Sequence, residues 1–404
     1  MDYLTDRARF QNLRKPTGIR VDELIKLHNY QNVILWGAGA VGRSVMKTIK
    51  NQEIKRFYCD ESGNENCAKD GYFVVDKIKM ISLAKKEKSL IILCFSDEIN
   101  TQREFLSGQQ LVSGKDFISY FSLKREEAVI EVCGADGKSM SLGAFKKNMG
   151  HLLIEYPDLY QVDLSGLGNP LGNRSIINII KHCEDRLSTV ISVPILGDFK
   201  KIKQLLTETK ATLVCLVISG AQINFAKEYS NLIVRLENFF KFKKQHSEVI
   251  FPVVRIRFDA YADNVAYFDQ LSNLCAKHGV IIKKAIGYPE NYDSLRELIT
   301  NRDGYFKIKM KLLWDVTRIQ EIASNDDIRN CHCERIFPII NAHNDVTVCH
   351  LYRKYTISGK FLEMKRSELE SKRDASTHCR ECQKLSMHRI DVEYLIRRNQ
   401  YTIN

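Results

Sequence analysis

Residues 32–36 (NVILW) form an apolar run that ends directly on Gly37, and Gly39 and Gly42 complete a GxGxxG spacing behind it. A buried strand that turns on glycines into a helix, here expected to reach about residue 50, is the opening unit of an open α/β layer. A second strand over residues 54–59 ends at Asp60, 23 residues after Gly37. Each residue has a physical role in such a unit. Gly37 permits the tight turn, Gly39 lets the backbone approach a pyrophosphate, and Gly42 lets helix and strand pack closely. The helix start offers unpaired N–H groups to an anion, and Asp60 is placed to accept hydrogen bonds from a ribose. Gly37, Gly39, Gly42 and Asp60 are therefore candidate cofactor-binding residues, with NAD or a nucleotide-sugar as the ligand. The same spacing also suits a Rossmann-like domain that binds nothing and keeps its glycines for packing.

The alternation continues with strands expected at residues 72–75, 90–95 and 116–120 and helices at 78–87 and 100–107. Residues 20–122 resemble the small nucleotide-binding domains attached to sugar-modifying enzymes of surface-polysaccharide pathways. From about residue 126 a second series begins, with strands expected at 128–133, 160–164, 189–193, 212–218, 249–258 and 280–284. The longest intervening helix is expected over 223–245. Six such units in a row predict a parallel sheet or partial barrel whose site lies at the carboxyl ends of the strands.

Several short stretches occur here in a telling order. Val129, Ile130, Glu131 and Val132 form the first strand. Met140 and Ser141, then Phe145, Lys146 and Lys147, open the first helix. The run VDLSGLGNPL (162–171) joins a strand to a glycine-rich turn, VISG (217–220) ends a later strand, and Asn264, His278 and Gly279 mark the last unit. In this order, over about 200 residues, the chain resembles the radical S-adenosylmethionine (SAM) enzymes. The resemblance implies a (β/α)6 partial barrel and makes Gly166, Gly168 and Asn169 candidate SAM-contacting residues. Two departures stand against SAM cleavage. The family carries CxxxCxxC after its first strand, whereas this chain reads CGADGKSM from Cys133, with one cysteine. Three thiolates hold the iron–sulfur core while SAM takes the open iron, and one cannot replace them. Asn169 stands where the family commonly has Glu, and a neutral amide gives up the charge-assisted bond to the SAM amino group, roughly 1.5–3 kcal/mol. The expectation is a degenerate member of this architecture.

The sequence has 12 cysteines in 404 residues. Its charged N-terminus (MDYLTDRARF) lacks the apolar stretch of a signal peptide, and no apolar run is long enough to cross a membrane. The expected location is the cytoplasm, where cysteines are thiols or metal ligands. Seven are scattered among apolar strands and helices, Cys94, Cys183 and Cys215 among them, and read as small core residues. The other five crowd into residues 331–382. Cys333 and Cys349 lie on an expected hairpin (strands 337–340 and 346–348, turn at Asn344 and Asp345), and Cys379 and Cys382 form a CxxC knuckle. Four thiolates suit zinc or an iron–sulfur cluster, and spacing does not decide between them. Cys331 is an alternative to Cys333. His332, His350 and His378 each neighbour a cysteine and read as surface or second-layer groups. The radical SAM resemblance implies a SPASM or twitch tail carrying one auxiliary [4Fe-4S] cluster.

Three domains are expected: a Rossmann-like domain over 20–122, a radical-SAM-like partial barrel over 126–328 and a cysteine-rich tail over 329–404. The net charge is +12, but Lys and Arg are spread along the chain without a block, which argues for a solvated surface over a nucleic-acid partner. Expected partners are a nucleotide or nucleotide-sugar and a protein partner enzyme. The expected activity is modification of a carbohydrate, nucleotide-sugar or peptide. The alternative is a non-catalytic nucleotide-binding accessory protein with structural zinc, and an NAD-dependent oxidoreductase ranks last.

Overall fold

The computed structural model describes residues 19–60, 70–95, 99–123, 126–219, 224–286, 296, 336–349, 355–359, 361–385 and 387. The chain is a mixed α/β protein built on two sheets. In the first, strands β1 (Asn32–Trp36), β2 (Lys55–Cys59), β3 (Phe73–Val75), β4 (Ser89–Leu93) and β5 (Phe117–Ser119) are parallel in the order β3-β2-β1-β4-β5. Both faces are covered, as parallel sheets require. Helix α1 (Val21–His28) and helix α2 (Ala40–Met46) pack on Val33 and Leu35. Helix α3 (Lys77–Lys86) and helix α4 (Ile99–Gly108) cover Ile34 and Trp36.

The second sheet contains β6 (Glu126–Ile130), β7 (Leu159–Asp163), β8 (Ser188–Pro194), β9 (Leu213–Ser219), β10 (Val253–Ala260) and β11 (Ile282–Ile286), parallel and in chain order. Helices α5 (Leu142–Glu155), α6 (Ile176–Cys183), α7 (Phe199–Glu208), α8 (Phe225–Gln245) and α9 (Phe268–Lys277) all bury apolar residues against one face of it. Ser141 and Asp198 cap α5 and α7 by accepting from the Ala144 and the Lys200 and Lys201 backbone N–H groups. The C-terminal strands extend the same sheet. β12 (Ile336–Ile340) runs parallel to β6, and β13 (Val346–Thr347) and β14 (Thr356–Ser358) follow it antiparallel. The sheet is open, with β11 at one edge and β14 at the other. Helices α10 (Arg366–Asp374) and α11 (Thr377–Lys384) end the described chain. Among the described residues no helix is long and apolar enough to cross a membrane.

Helix α2 joins the two sheets. Arg43, 3% exposed, donates to the Phe251 carbonyl at 2.6 Å, and the Ser44 and Ser188 hydroxyls lie 2.7 Å apart. Lys47 Nζ donates to the carbonyls of Glu184 and Leu187, both at 2.9 Å. Ser188 opens β8 and Phe251 precedes β10, so the first sheet docks against the amino end of the second, leaving the carboxyl ends of β6–β11 on the far side. Seven residues of β8 span about 20 Å, which separates the two ends.

Candidate active site on the second sheet

Along β8, β9 and β10 the residues facing the helices are buried, and most of those on the opposite face are partly exposed. On β10, Ile256, Phe258 and Ala260 are buried under the helices, while Arg255, Arg257 and Asp259 between them are half-exposed on the opposite face. Ser192 and Pro194 on β8, and Val217 and Ser219 on β9, share that face. The helices thus cover one face of the sheet and leave a polar, partly exposed second face. That face is segregated by charge. Glu131 and Asp163 stand at the β6–β7 side; Arg255, Arg257, Asp259 and Lys283 stand on β10 and β11. Arg257 forms an ion pair with Asp259, Nε to Oδ1 at 2.8 Å.

At the carboxyl end of β6 the chain turns back on itself. Met140 N–H donates to the Val132 carbonyl at 3.0 Å, Gly134 N–H to the Lys138 carbonyl at 2.8 Å, and Cys133 bridges Ser139. Buried Asn173 clamps both arms, donating from Nδ2 to the carbonyls of Val132 (2.7 Å) and Met140 (2.9 Å). The glycine-rich turn packs on this closed loop. A side chain at Gly168 would overlap the carbonyls of Cys133 and Gly134, so only glycine fits there. Gly166 lies against the Glu131 side chain, whose Oε1 accepts from Leu167 N–H at 3.2 Å. Asn169 is exposed, and its Oδ1 accepts from Leu171 N–H at 3.0 Å, capping a short 3₁₀ turn.

The tip of the C-terminal hairpin holds the loop from outside. His343 Nε2 lies 2.9 Å from Asp136 Oδ2, and Lys138 Nζ lies 2.9 Å from His343 Nδ1. Lysine can only donate, so Nδ1 accepts and Nε2 carries the proton given to Asp136. The Lys138 backbone N–H, then His343, hold the Asp136 carboxyl below its ordinary range. Asn148 Nδ2 donates to Asn344 Oδ1 at 2.8 Å beside them.

In the first sheet the glycines serve packing directly. Gly37 has φ +108, and a side chain on Gly42 would overlap the Gly37 carbonyl. Gly39 is exposed, with nothing within 4 Å of where a side chain would start. The helix it opens, α2, has seven residues. Asp60 follows β2, at the carboxyl edge of the sheet with the glycine turn.

Of the C-terminal cysteines, Cys331 and Cys333 lie outside the described residues, as do His332, His350 and His388. Cys349 is buried beyond β13. The expected CxxC knuckle is a turn of helix α11, which places Cys379 and Cys382 three residues apart on one helical face, Cys382 buried. The two elements meet: Val348 N–H donates to the Tyr355 carbonyl at 3.2 Å, and the Tyr355 ring packs on His378 at 3.9 Å between centroids. Among the described residues no three His, Cys, Asp or Glu side chains are gathered to hold a single metal ion.

Sequence reasoning missed Asn173, the His343–Asp136–Lys138 group and the charged row on β10. The last was readable, because VRIRFDA (254–260) alternates apolar and charged residues with period two. The other two depend on contacts between distant segments and leave no local signal.

No protein-family model matches the chain, and no curated protein matches it. Several solved structures are similar in part, among them the following three. Native anSMEcpe with bound AdoMet and Cp18Cys peptide aligns over 66% of this chain and 88% of its own, with 12% identity and a TM-score of 0.38. Native anSMEcpe with bound AdoMet aligns over 65% and 88%, with 12% identity and a TM-score of 0.40. Streptococcus suis SuiB bound to precursor peptide SuiA aligns over 76% and 75%, with 15% identity and a TM-score of 0.37.

Proposed function

We propose that this chain is a radical-SAM-type scaffold that binds a small substrate or peptide on the polar face of its second sheet and has given up SAM cleavage. The observation that carries this reading is the loop over residues 132–140. It follows the strand after which the family carries its three-cysteine loop, yet it has one thiol, closes on its own backbone and is clamped by Asn173. These residues do not fit a cluster that needs three thiolates. The turn also offers the SAM amino group a neutral amide oxygen, one lone pair of which already accepts from Leu171 N–H, in place of a carboxylate. The test is anaerobic reconstitution with iron, sulfide and SAM. The expected result is no 5′-deoxyadenosine above a no-protein control; its formation in a protein-dependent manner overturns the reading.

The tail, on this reading, carries one iron–sulfur cluster on Cys333, Cys349, Cys379 and Cys382. Cys349, Cys379 and Cys382 supply the donor type a cluster needs, two of them one helical turn apart on α11, while among the described residues no three such side chains are gathered at one point. Bound there, a cluster would supply a cross-link between the hairpin and α11. A brown anaerobic preparation with a broad band at ~400 nm supports it, whereas a colourless protein with stoichiometric zinc replaces it by the structural-zinc alternative.

A nucleotide-binding role for the first sheet is favoured by one observation, the open space at Gly39 beside the carboxyl end of β1. NAD and nucleotide-sugars should then raise the melting temperature of the wild type, because a ligand that binds only the folded state stabilises it. Absence of any shift at millimolar ligand argues that Gly37 and Gly42 serve packing alone.

A further inference from the structure

A groove of about 600 Å³ runs between α7 and α8 on the helix-covered side of the second sheet, away from its polar face. Leu196, Phe199 and Val234 give it an apolar lining, and α8 adds Glu228, Asn231, Arg235 and Asn238. Their spacing of three, four and three residues puts these four on one face of the helix. The stretch from Glu228 to Asn238 covers about 15 Å of helix, so the groove is elongated along α8. The Arg235 guanidinium lies 4.8 Å from the centre of the Phe199 ring, and the Lys203 ammonium lies 4.8 Å from the same ring. Contact of this kind acts on the charge and leaves N–H groups for an acceptor. Among the described residues neither cation has a carboxylate partner, and the exposed Asn231 and Asn238 amides make no hydrogen bond. The acids at the starts of the two helices are engaged. Glu228 accepts from the Asn224 N–H at 2.9 Å, and Asp198 caps α7. Glu237, two residues after Arg235, lies on the far side of the helix.

A side-chain amide can hold a peptide group by both ends, donating to its carbonyl and accepting from its N–H. Asn231 and Asn238 are two helical turns apart, about 10.5 Å along α8 and nearly in line. A chain in polyproline II advances three residues in about 9.3 Å, returns the same edge to the helix and makes no hydrogen bonds of its own. A docked helix suits the groove less well, because its main chain is already paired and the seam it would meet is polar. A guanidinium fork matches the two oxygens of a carboxylate, and lysine adds a point charge. We propose that this groove binds an extended peptide segment bearing an acidic side chain. Asn231 and Asn238 hold main-chain groups three residues apart, Arg235 and Lys203 take the carboxylate between them, and Leu196, Phe199 and Val234 cover an apolar neighbour. The site is separate from the polar face of the sheet and does not depend on whether SAM is cleaved.

Two end-blocked nonapeptides are the probes, one of repeated Pro-Leu-Glu and one of repeated Pro-Leu-Gln, titrated into the full chain by calorimetry at constant ionic strength. The expected result is saturable binding of the glutamate peptide, about tenfold or more tighter than the glutamine peptide. Arg235→Gln should abolish that preference. Asn231→Ala combined with Asn238→Ala should weaken the glutamate peptide by about tenfold or more. Both positions are exposed inside a helix of 21 residues, where alanine is favoured, so the double variant keeps its fold. Lys244→Gln, at an exposed position of α8 outside the groove, should change nothing. Should Arg235→Gln fail to fold by circular dichroism, Lys203→Gln replaces it with the same expectation. No saturable binding, equal affinity for the two peptides, or unchanged affinity in the asparagine double variant overturns the proposal. Acetate binding that depends on Arg235 while neither peptide binds also overturns it, and assigns the groove to small carboxylates. The 5′-deoxyadenosine assay involves no peptide, so failure here and failure of the cleavage-loss reading are separate results.

Discussion

Single side chains hold the loop over residues 132–140. Asn173 satisfies two buried carbonyls on opposite arms of it with one amide. Asn173→Leu keeps the volume and removes both amide bonds, but the Val132 carbonyl keeps its bond from Met140 N–H, so the expected loss is about 1–3 kcal/mol. Urea unfolding measures it, and an unchanged midpoint would show that the backbone bonds alone close the loop. Asp136 ties the same loop to the hairpin tip and titrates below 3.8, its unfolded reference value. A carboxyl with a depressed folded pKa contributes stability that is present above the unfolded pKa and lost as pH falls through the folded one. Hydrogen exchange at Gly134 and Gly137 should therefore speed up below pH 3.8 more than at strand amides; Asp136→Asn should remove that difference. The cysteines sort by burial. Cys183 and Cys275 are 2% and 0% exposed, and burial pushes both thiols up to about 12. At pH 8 iodoacetamide should leave both unmodified in the native protein and alkylate both in denaturant, by mass mapping. The composition of apolar strands and helices already marked such cysteines as core, because a small apolar residue in an apolar run has one plausible environment. Asn173, in a polar stretch, has many.

Elements were more legible than side chains, and their ends less so than their centres. Each of the six central strands was expected from its apolar run. Residues 249–250, expected as the start of a strand, instead close α8: Val249 and Ile250 N–H groups both donate to the His246 carbonyl, and Ile250 fills the core below the helices. An apolar pair at a helix end looks the same in sequence as one at a strand start. Residues 131–133 were expected to continue β6, but 132 and 133 leave the parallel ladder to pair with 139 and 140. The CxxC motif folds as a helical turn because nothing in THCRECQK breaks a helix. That gives the tail a prediction of its own. If a cluster links α11 to the hairpin, Cys379→Ser loosens both together. Hydrogen exchange over residues 346–349 and 377–384 should rise in the variant while β8 and β9 amides stay protected. A variant with wild-type protection in the tail and altered activity would assign the cluster to turnover instead.

At the scale of the molecule, the glycine-turn helix decides how the two sheets behave. Nothing in the motif GAGAVGRSVMK distinguishes a helix that faces a ligand from one that docks on another sheet, since both need the glycines. Here Arg43, Ser44 and Lys47, the residues just after Gly42, reach Phe251, Ser188, Glu184 and Leu187. Arg43 also lies 3.6 Å from Asp70, which accepts from Tyr58 at 2.9 Å, so the contact extends into the core of the first sheet. Burial raises the Asp70 carboxyl and lowers the Lys47 ammonium, the mark of charges placed at an interface rather than on a surface. Desolvating these groups is costly unless they stay paired, so the interface holds together or opens as a whole. The wild type should accordingly unfold in one transition, with amides of both sheets exchanging at the same denaturant concentration. Arg43→Met removes a charged donor from a buried carbonyl, a loss of about 1.5–3 kcal/mol. With Lys47→Met added, the first sheet should open at lower urea than the second, giving exchange over residues 32–36 before residues 213–219. Coincident opening of both sheets in the double variant would mean that contacts other than α2, such as the Arg20–Asp158 ion pair, carry the coupling.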